Sequence, residues 1–275
     1  MRVPTGHRTD NADRINYEMN TEFAAIFTHF NMWFLLGWQD IKHRYKRSLL
    51  GPFWVTISSG IMVGCIGMIF AAIFRVPARD FLPYYAAGQI MWLFISGQLN
   101  DSCEIFIQHQ SILKQISIPL SVHIMRSLWN NVILLFHNLI IIVIILVLAG
   151  RKGTWEMFAA VPAFIMITIL LFLASVSLGI VCTRFRDIIQ VIKMTLNLIY
   201  FITPILWKKS VLPDRYSWIT NINPFSNMIE SIREPLLGQS PDSAVWIHMT
   251  GYIAVAMIVS VLLLKKYRHR VAYWL

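Results

Sequence analysis

The 275 residues are 56% apolar, aromatics included, and only 14% charged, against about a quarter charged in soluble domains. That balance excludes an ordinary soluble enzyme and points to a chain that dissolves in lipid. The net charge of +10 does not argue for nucleic acid, because membrane proteins collect Lys and Arg at their cytoplasmic edge.

The chain opens on a polar and aromatic leader, and its first apolar run begins only near residue 52, so no cleavable signal peptide is expected. Within the leader, residues 20–46 are predicted as a helix lying on the membrane. Phe23, Ile26, Phe27, Phe30, Trp33 and Phe34 recur at helical spacing and a basic cluster, Lys42 to Arg47, follows. Aromatics beside a basic end suit an interfacial helix, and packing against a partner protein is compatible with it. Six membrane spans are predicted at 53–74, 84–104, 129–149, 157–182, 188–207 and 244–264, each near the roughly 20 residues a crossing helix needs. The fold class is therefore all-α and integral to the membrane. Its parts are a tail at 1–51, a transmembrane domain at 52–264 and a second tail at 265–275. Eleven of the 24 Lys and Arg lie before residue 52 or after residue 264, which places both tails in the cytoplasm. The cytoplasmic membrane, crossed several times, is the expected location.

The first span carries Gly60, Gly64, Gly67 and Ala71 on one face, a stripe that lets helix backbones approach closely in lipid. After the second span, Glu104, Gln108, Gln110 and Lys114 interleave with Ile105, Phe106, Ile112 and Leu113, and Pro119 ends the pattern. This reads as a short amphipathic cytoplasmic helix that fits a groove on a soluble partner. In the loop after span five, residues 224–236 are predicted as a short helix opened by Pro224 and closed before Gly238.

Nothing in the sequence cradles a phosphate: there is no G-x-x-x-x-G-K and no G-x-G-x-x-G, and no pair of metal ligands at helical spacing. The chain is expected not to hydrolyse ATP by itself. Cys65, Cys103 and Cys182 have no metal or redox spacing. His137, deep in the third span, reads as a hydrogen-bonding residue between helices, and Lys193 as a snorkelling cation. Tyr84, Tyr85, Trp92, Tyr200, Phe201 and Trp207 gather near the outer ends of spans two and five. From the residues alone they are an interfacial belt before they are a stacking surface for sugar rings.

Four stretches resemble one family. They are Arg44-Tyr45-Lys46-Arg47-Ser48-Leu49-Leu50-Gly51-Pro52-Phe53-Trp54; Ser111-Ile112-Leu113-Lys114 with Ile118-Pro119; Arg186-Asp187-Ile188 with Thr203-Pro204-Ile205; and Asn223-Pro224-Phe225 with Arg233. Together they resemble the membrane subunits of ABC exporters that move polysaccharides such as O-antigen, capsule and teichoic acid. The resemblance implies a homodimer with two separate ATPase subunits, which hold the ATP and magnesium. Its substrate would be a lipid-linked polysaccharide, O-antigen by preference. The helix near 106–116 would then be the coupling helix, with Glu104, Gln108, Gln110 and Lys114 meeting the ATPase. Asn223, Pro224 and Arg233 would belong to an external gate or re-entrant element, and the six aromatics to a glycan channel. Arg44, Lys46 and Arg47 are placed to meet the pyrophosphate of the lipid or the headgroups of the bilayer. The family's leucine-rich Pro segment is here Ser117-Ile118-Pro119-Leu120, a mild departure. The alternatives are a small-molecule or drug exporter of the same superfamily, an ATP-independent channel or transporter, and a membrane enzyme. The channel is disfavoured because Asp101, Glu104 and Asp187 sit near span ends rather than inside them.

Overall fold

A computed structural model describes residues 22–46, 48, 51, 53–115 and 118–275; Arg47 and Pro52 lie outside that set. All regular structure among the described residues is helical. Residues 22–28 are helical and turn at His29 into α1, Phe30–Tyr45. Then follow α2, Phe53–Ile73; α3, Ala78–Gln108; α4, Gln110–Gln115; α5, Leu120–Leu148; α6, Ala160–Arg184; and α7, Asp187–Ile202. A stretch of short turns leads to α8, Ser217–Asn221, then α9, Pro224–Leu236, and α10, Ser243–Trp274.

Among the described residues, four helical segments are long and apolar enough to cross a membrane: Phe53–Ile73, Leu120–Leu148, Trp155–Arg184 and Ser243–Trp274. The other two predicted spans correspond to α3 and α7. At 31 residues, α3 is about 46 Å long, but it carries Arg79, Asp80, Asp101 and Glu104. These charges sit toward its two ends, where Arg79, Asp80 and Asp101 are exposed. Its middle is the hub, packing on α2, α5, α6, α7 and α9 with Gln89, Gln98 and Ser102 buried in protein. Gln98, for instance, bonds Asn131 of α5 and Ser175 of α6. At 16 residues, α7 is about 24 Å long, and only Leu196 is buried on it.

Of the small-residue stripe, Gly67 meets α3 and Ala71 is buried. A Cβ on Gly67 would stand 2.6 Å from Leu82 Cδ2 and 3.2 Å from Tyr85 Cδ1, so a larger residue there would have to displace the Leu82 side chain. Gly64 faces open space. The leader helix buries a narrower face than its aromatic spacing predicts. Trp33, Gly37 and Ile41 are covered, while Phe27, at 82% exposure, points outward. Its principal partner is α5, where Trp33 and Phe34 meet Trp129 edge-on and tilted.

Candidate functional site

The residues singled out from sequence fall into three places, and the structure divides each of them. At the end of the bundle that carries α4, helix α3 runs on to Gln108, turns at His109 and restarts as α4. Glu104 and Gln108 therefore lie on α3, and only Gln110 and Lys114 lie on the short helix itself. Gln110, Ser111, Lys114 and Gln115 are exposed, while Ile112 and Leu113 are half-buried against the bundle. Glu104 is occupied elsewhere: it accepts from Lys193 Nζ of α7 at 2.5 Å and from Gln108 Nε2 at 3.2 Å. Lys193 thus clamps α7 to α3 rather than simply snorkelling to a surface.

The same end ties the leader to the bundle. Asp40 of α1 accepts two hydrogen bonds of 2.5 Å from the Arg126 guanidinium, the two-pronged geometry that makes Arg–carboxylate pairs strong. Burial pushes the Asp40 carboxyl up, but the Arg126 bonds and charge, helped by Asn130, outweigh it and hold the group below the ordinary carboxylate range. Further along, Glu22 accepts from the Ser121 backbone N–H at 3.2 Å and from Arg268 Nε at 2.9 Å. The basic cluster does not converge. Arg44 lines a polar cavity shared with α3 and α5, whereas Lys42 and Lys46 line a largely apolar one with Trp38, Ile41, Ile133 and His137. His137 bonds its own helix at the Ile133 carbonyl, 2.8 Å away, and stacks edge-on with Phe53.

At the opposite end, α9 is capped as its sequence requires. Pro224 occupies the first turn and Asn223 Oδ1 accepts from Phe225 N–H at 3.0 Å, which satisfies one of the orphan donors of a helix start. Although strongly polar, α9 is buried over most of its length, and its Arg233 and Glu230 are paired. Arg233, 3% exposed, stacks its guanidinium 3.9 Å above the Tyr84 ring and donates to the Pro204 carbonyl at 2.6 Å. It also reaches Glu230 at 3.4 Å, and Glu230 binds Lys209 in turn. Tyr84 donates to the Pro204 and Trp207 carbonyls. Gly88 lines the same contact, where a Cβ would lie 3.5 Å from Arg233 Nη1, an ordinary packing distance. The result pins the segment after α7 between α3 and α9. Glu230 and Lys209 were not singled out from sequence, and Pro204 was marked only as part of a motif, without this role. Only the burial of a charged helix reveals them.

The six aromatics divide as well. Tyr85 is fully buried beside Phe81, and Trp92 is buried against Tyr200 and Phe225; both are packing residues. Tyr200 donates to Gln89 at 2.6 Å, and Trp207 donates to the Phe201 carbonyl at 3.0 Å. Phe201, at 65% exposure, has the openly presented ring of the set. Among the described residues no cluster of His, Cys, Asp or Glu is arranged to hold a metal ion.

Comparison with known proteins places the chain among transport proteins by sequence. The chain is 24% identical over 242 residues to an O-antigen export system permease protein RfbA of Klebsiella pneumoniae, covering 87% of this chain and 93% of that one. A second RfbA of the same organism is 24% identical over 246 residues, covering 88% and 94%. The Myxococcus xanthus O-antigen export system permease protein RfbA is 21% identical over 196 residues, covering 70% and 75%. The model of the ABC-2 type transporter family matches residues 31–237, from the leader helix through the Arg233 cluster and across most of the chain, and the protein belongs to that family.

Proposed function

We propose that this chain is the membrane subunit of an ATP-driven exporter that carries a lipid-linked polysaccharide of the O-antigen type across the cytoplasmic membrane. The observation that carries the reading is the pairing of family membership over 31–237 with two O-antigen export permeases aligned over 87% and 88% of the chain. It works as a homodimer with two ATPase subunits, which bring the ATP and magnesium. Six spans form the subunit: α3 owes its place to protein packing rather than to apolarity, and α7, apolar but only 16 residues long, is the short one. Both tails lie in the cytoplasm.

In this reading α4 is the coupling helix. Gln110 and Lys114 face outward for the ATPase groove, while Leu113 seats the helix on the bundle. A push on α4 passes to α5 through Pro119, and α1 follows because Arg126 holds Asp40. On the outer side α9 with Asn223, Pro224 and Arg233 is the gate element. Lys46, beside an apolar wall, suits the pyrophosphate of the carrier lipid, and Phe201 suits a sugar ring in transit.

The test is ATP hydrolysis and glycan transfer in proteoliposomes containing this chain alone, its ATPase partner alone, or both. Hydrolysis stimulated by lipid-linked glycan only in the assembled complex, and lost in Lys114→Glu, supports the assignment. A chain that assembles with no ATPase overturns it.

A further inference from the structure

Between α1, α3 and α5, at the α4 end of the bundle, the helices leave a polar cavity of about 360 Å³, within the size range of small-ligand sites. Its charges form two pairs that behave differently. Asp40 and Arg126 close on each other through two short bonds, and Asn130 Nδ2 adds a third to Asp40 at 3.3 Å. Arg44 and Asp101 also line the cavity and feel each other's charge through space. Among the described residues, no direct ion pair joins these two. One bond reaches Asp101, from Asn131 Nδ2 at 2.8 Å. His109 adds no charge to the wall: burial pulls its pKa below the ordinary imidazole range, and its Nδ1 meets the Ile105 carbonyl at 2.8 Å.

A site of zero net charge with its signs held apart selects its ligand. An anion at Arg44 also meets Asp101, and a cation at Asp101 also meets Arg44, so a ligand of one sign gains little. A head that carries a phosphate and a cation satisfies both. The cation is a primary ammonium rather than a trimethylammonium. Asp101 and the Gln108 amide oxygen accept N–H bonds, Gln108 having turned its Nε2 to Glu104. The described wall offers only the His109 ring, not the aromatic cage that a quaternary ammonium prefers. We propose that this cavity seats the phosphoethanolamine head of a bilayer phospholipid, with its phosphate at Arg44 and its ammonium at Asp101 and Gln108. The apolar surface beside the site points to a lipid rather than a soluble zwitterion. A second cavity of about 580 Å³ lies against the same stretch of α1, walled by Trp38, Ile41 and Ile133, and Leu35 and Trp38 are exposed beside it.

The test is native mass spectrometry of the full chain, exchanged into detergent carrying equimolar phosphatidylethanolamine, phosphatidylcholine and phosphatidylglycerol with identical acyl chains. Soluble phosphoethanolamine runs as a parallel arm. Phosphatidylethanolamine is retained about tenfold over the other two, the size expected from one charge-assisted hydrogen bond. Asp101→Asn erases its advantage over phosphatidylcholine, and Arg44→Gln lowers retention of all three. If Asp101→Asn fails to fold, as judged by circular dichroism, Gln108→Leu gives the same comparison. Equal retention of the three lipids, or an unchanged preference in the variants, overturns the proposal. Equal binding of soluble phosphoethanolamine overturns its lipid source. The readout involves neither ATPase nor glycan, so its failure is separate from a failure of the export reading.

Discussion

Replacing Arg233 by Met tests whether the α9 cluster is a latch or an incidental contact. Arg233 is 3% exposed and gives up three partners at once: the Tyr84 ring at 3.9 Å, the Pro204 carbonyl at 2.6 Å and Glu230 at 3.4 Å. Methionine fills much of the stem's space, so the cost comes chiefly from the groups left behind. Breaking a buried ion pair by removing one partner costs about 3–5 kcal/mol. Lys209 still reaches Glu230 and places the expected loss near 3 kcal/mol, the lower end of that range. For a chain of this size that lowers the melting temperature by about 6–12 °C. The assay is thermal unfolding in detergent followed by tryptophan emission, with hydrogen exchange read over residues 203–209. Exchange there should rise in Arg233→Met more than in the rest of the bundle. Adding Glu230→Gln should recover part of the loss, because it removes the carboxylate left with a single partner. A shift of under 2 °C, or a double variant no better than the single one, refutes the latch.

Four further outcomes follow from contacts already described. Asp40→Arg alone should free α1 from α5 and abolish export while the chain stays in the membrane. The exchanged pair Asp40→Arg with Arg126→Asp should restore export in vesicles. Because the Asp40 carboxyl sits below its ordinary value, its contribution is present above that ordinary value and is lost only as pH falls through the lowered one. Protection factors of α1, which divide out the intrinsic pH dependence of amide exchange, should therefore be level between about pH 8 and pH 5 and fall only at more acid pH. Glu104→Gln should change unfolding by no more than about 1 kcal/mol, since the Lys193 pair is about a third exposed. Gly67→Val should cost several degrees of melting temperature, because its Cβ alone meets Leu82 at 2.6 Å.

Much of the helical layout was legible in sequence. Apolar runs show where α2, α5, α6 and α10 lie, and Pro224 with Asn223 signals the start of α9. Hydropathy reads α3 less well, because lipid is not its surroundings: eighteen of its residues are buried in protein. The candidate sites were legible as a set of residues but not as groupings. Helical spacing puts Glu104 and Gln108 in one pattern with Lys114, and only the turn at His109 separates them. Arg44 and Lys46 are two residues apart and so point to different sides of a helix, a division that a count of basic residues conceals. The companions of Arg233 come from α3 and from the segment after α7, a long way off in sequence, and no local pattern announces such a meeting.

The Glu22–Arg268 contact carries a consequence for how the protein is made. Its two partners are separated by nearly the whole chain, and contacts of such long sequence separation form late. During synthesis the leader helix emerges first and has α5 as its earliest anchor, through Asp40 and Arg126. Glu22 has to wait, its carboxylate without Arg268, until α10 has been inserted. Closure of that pair therefore marks the moment when the last helix is in place. A nascent chain halted before residue 268 should expose its first turns to protease, and release of the finished chain should hide them.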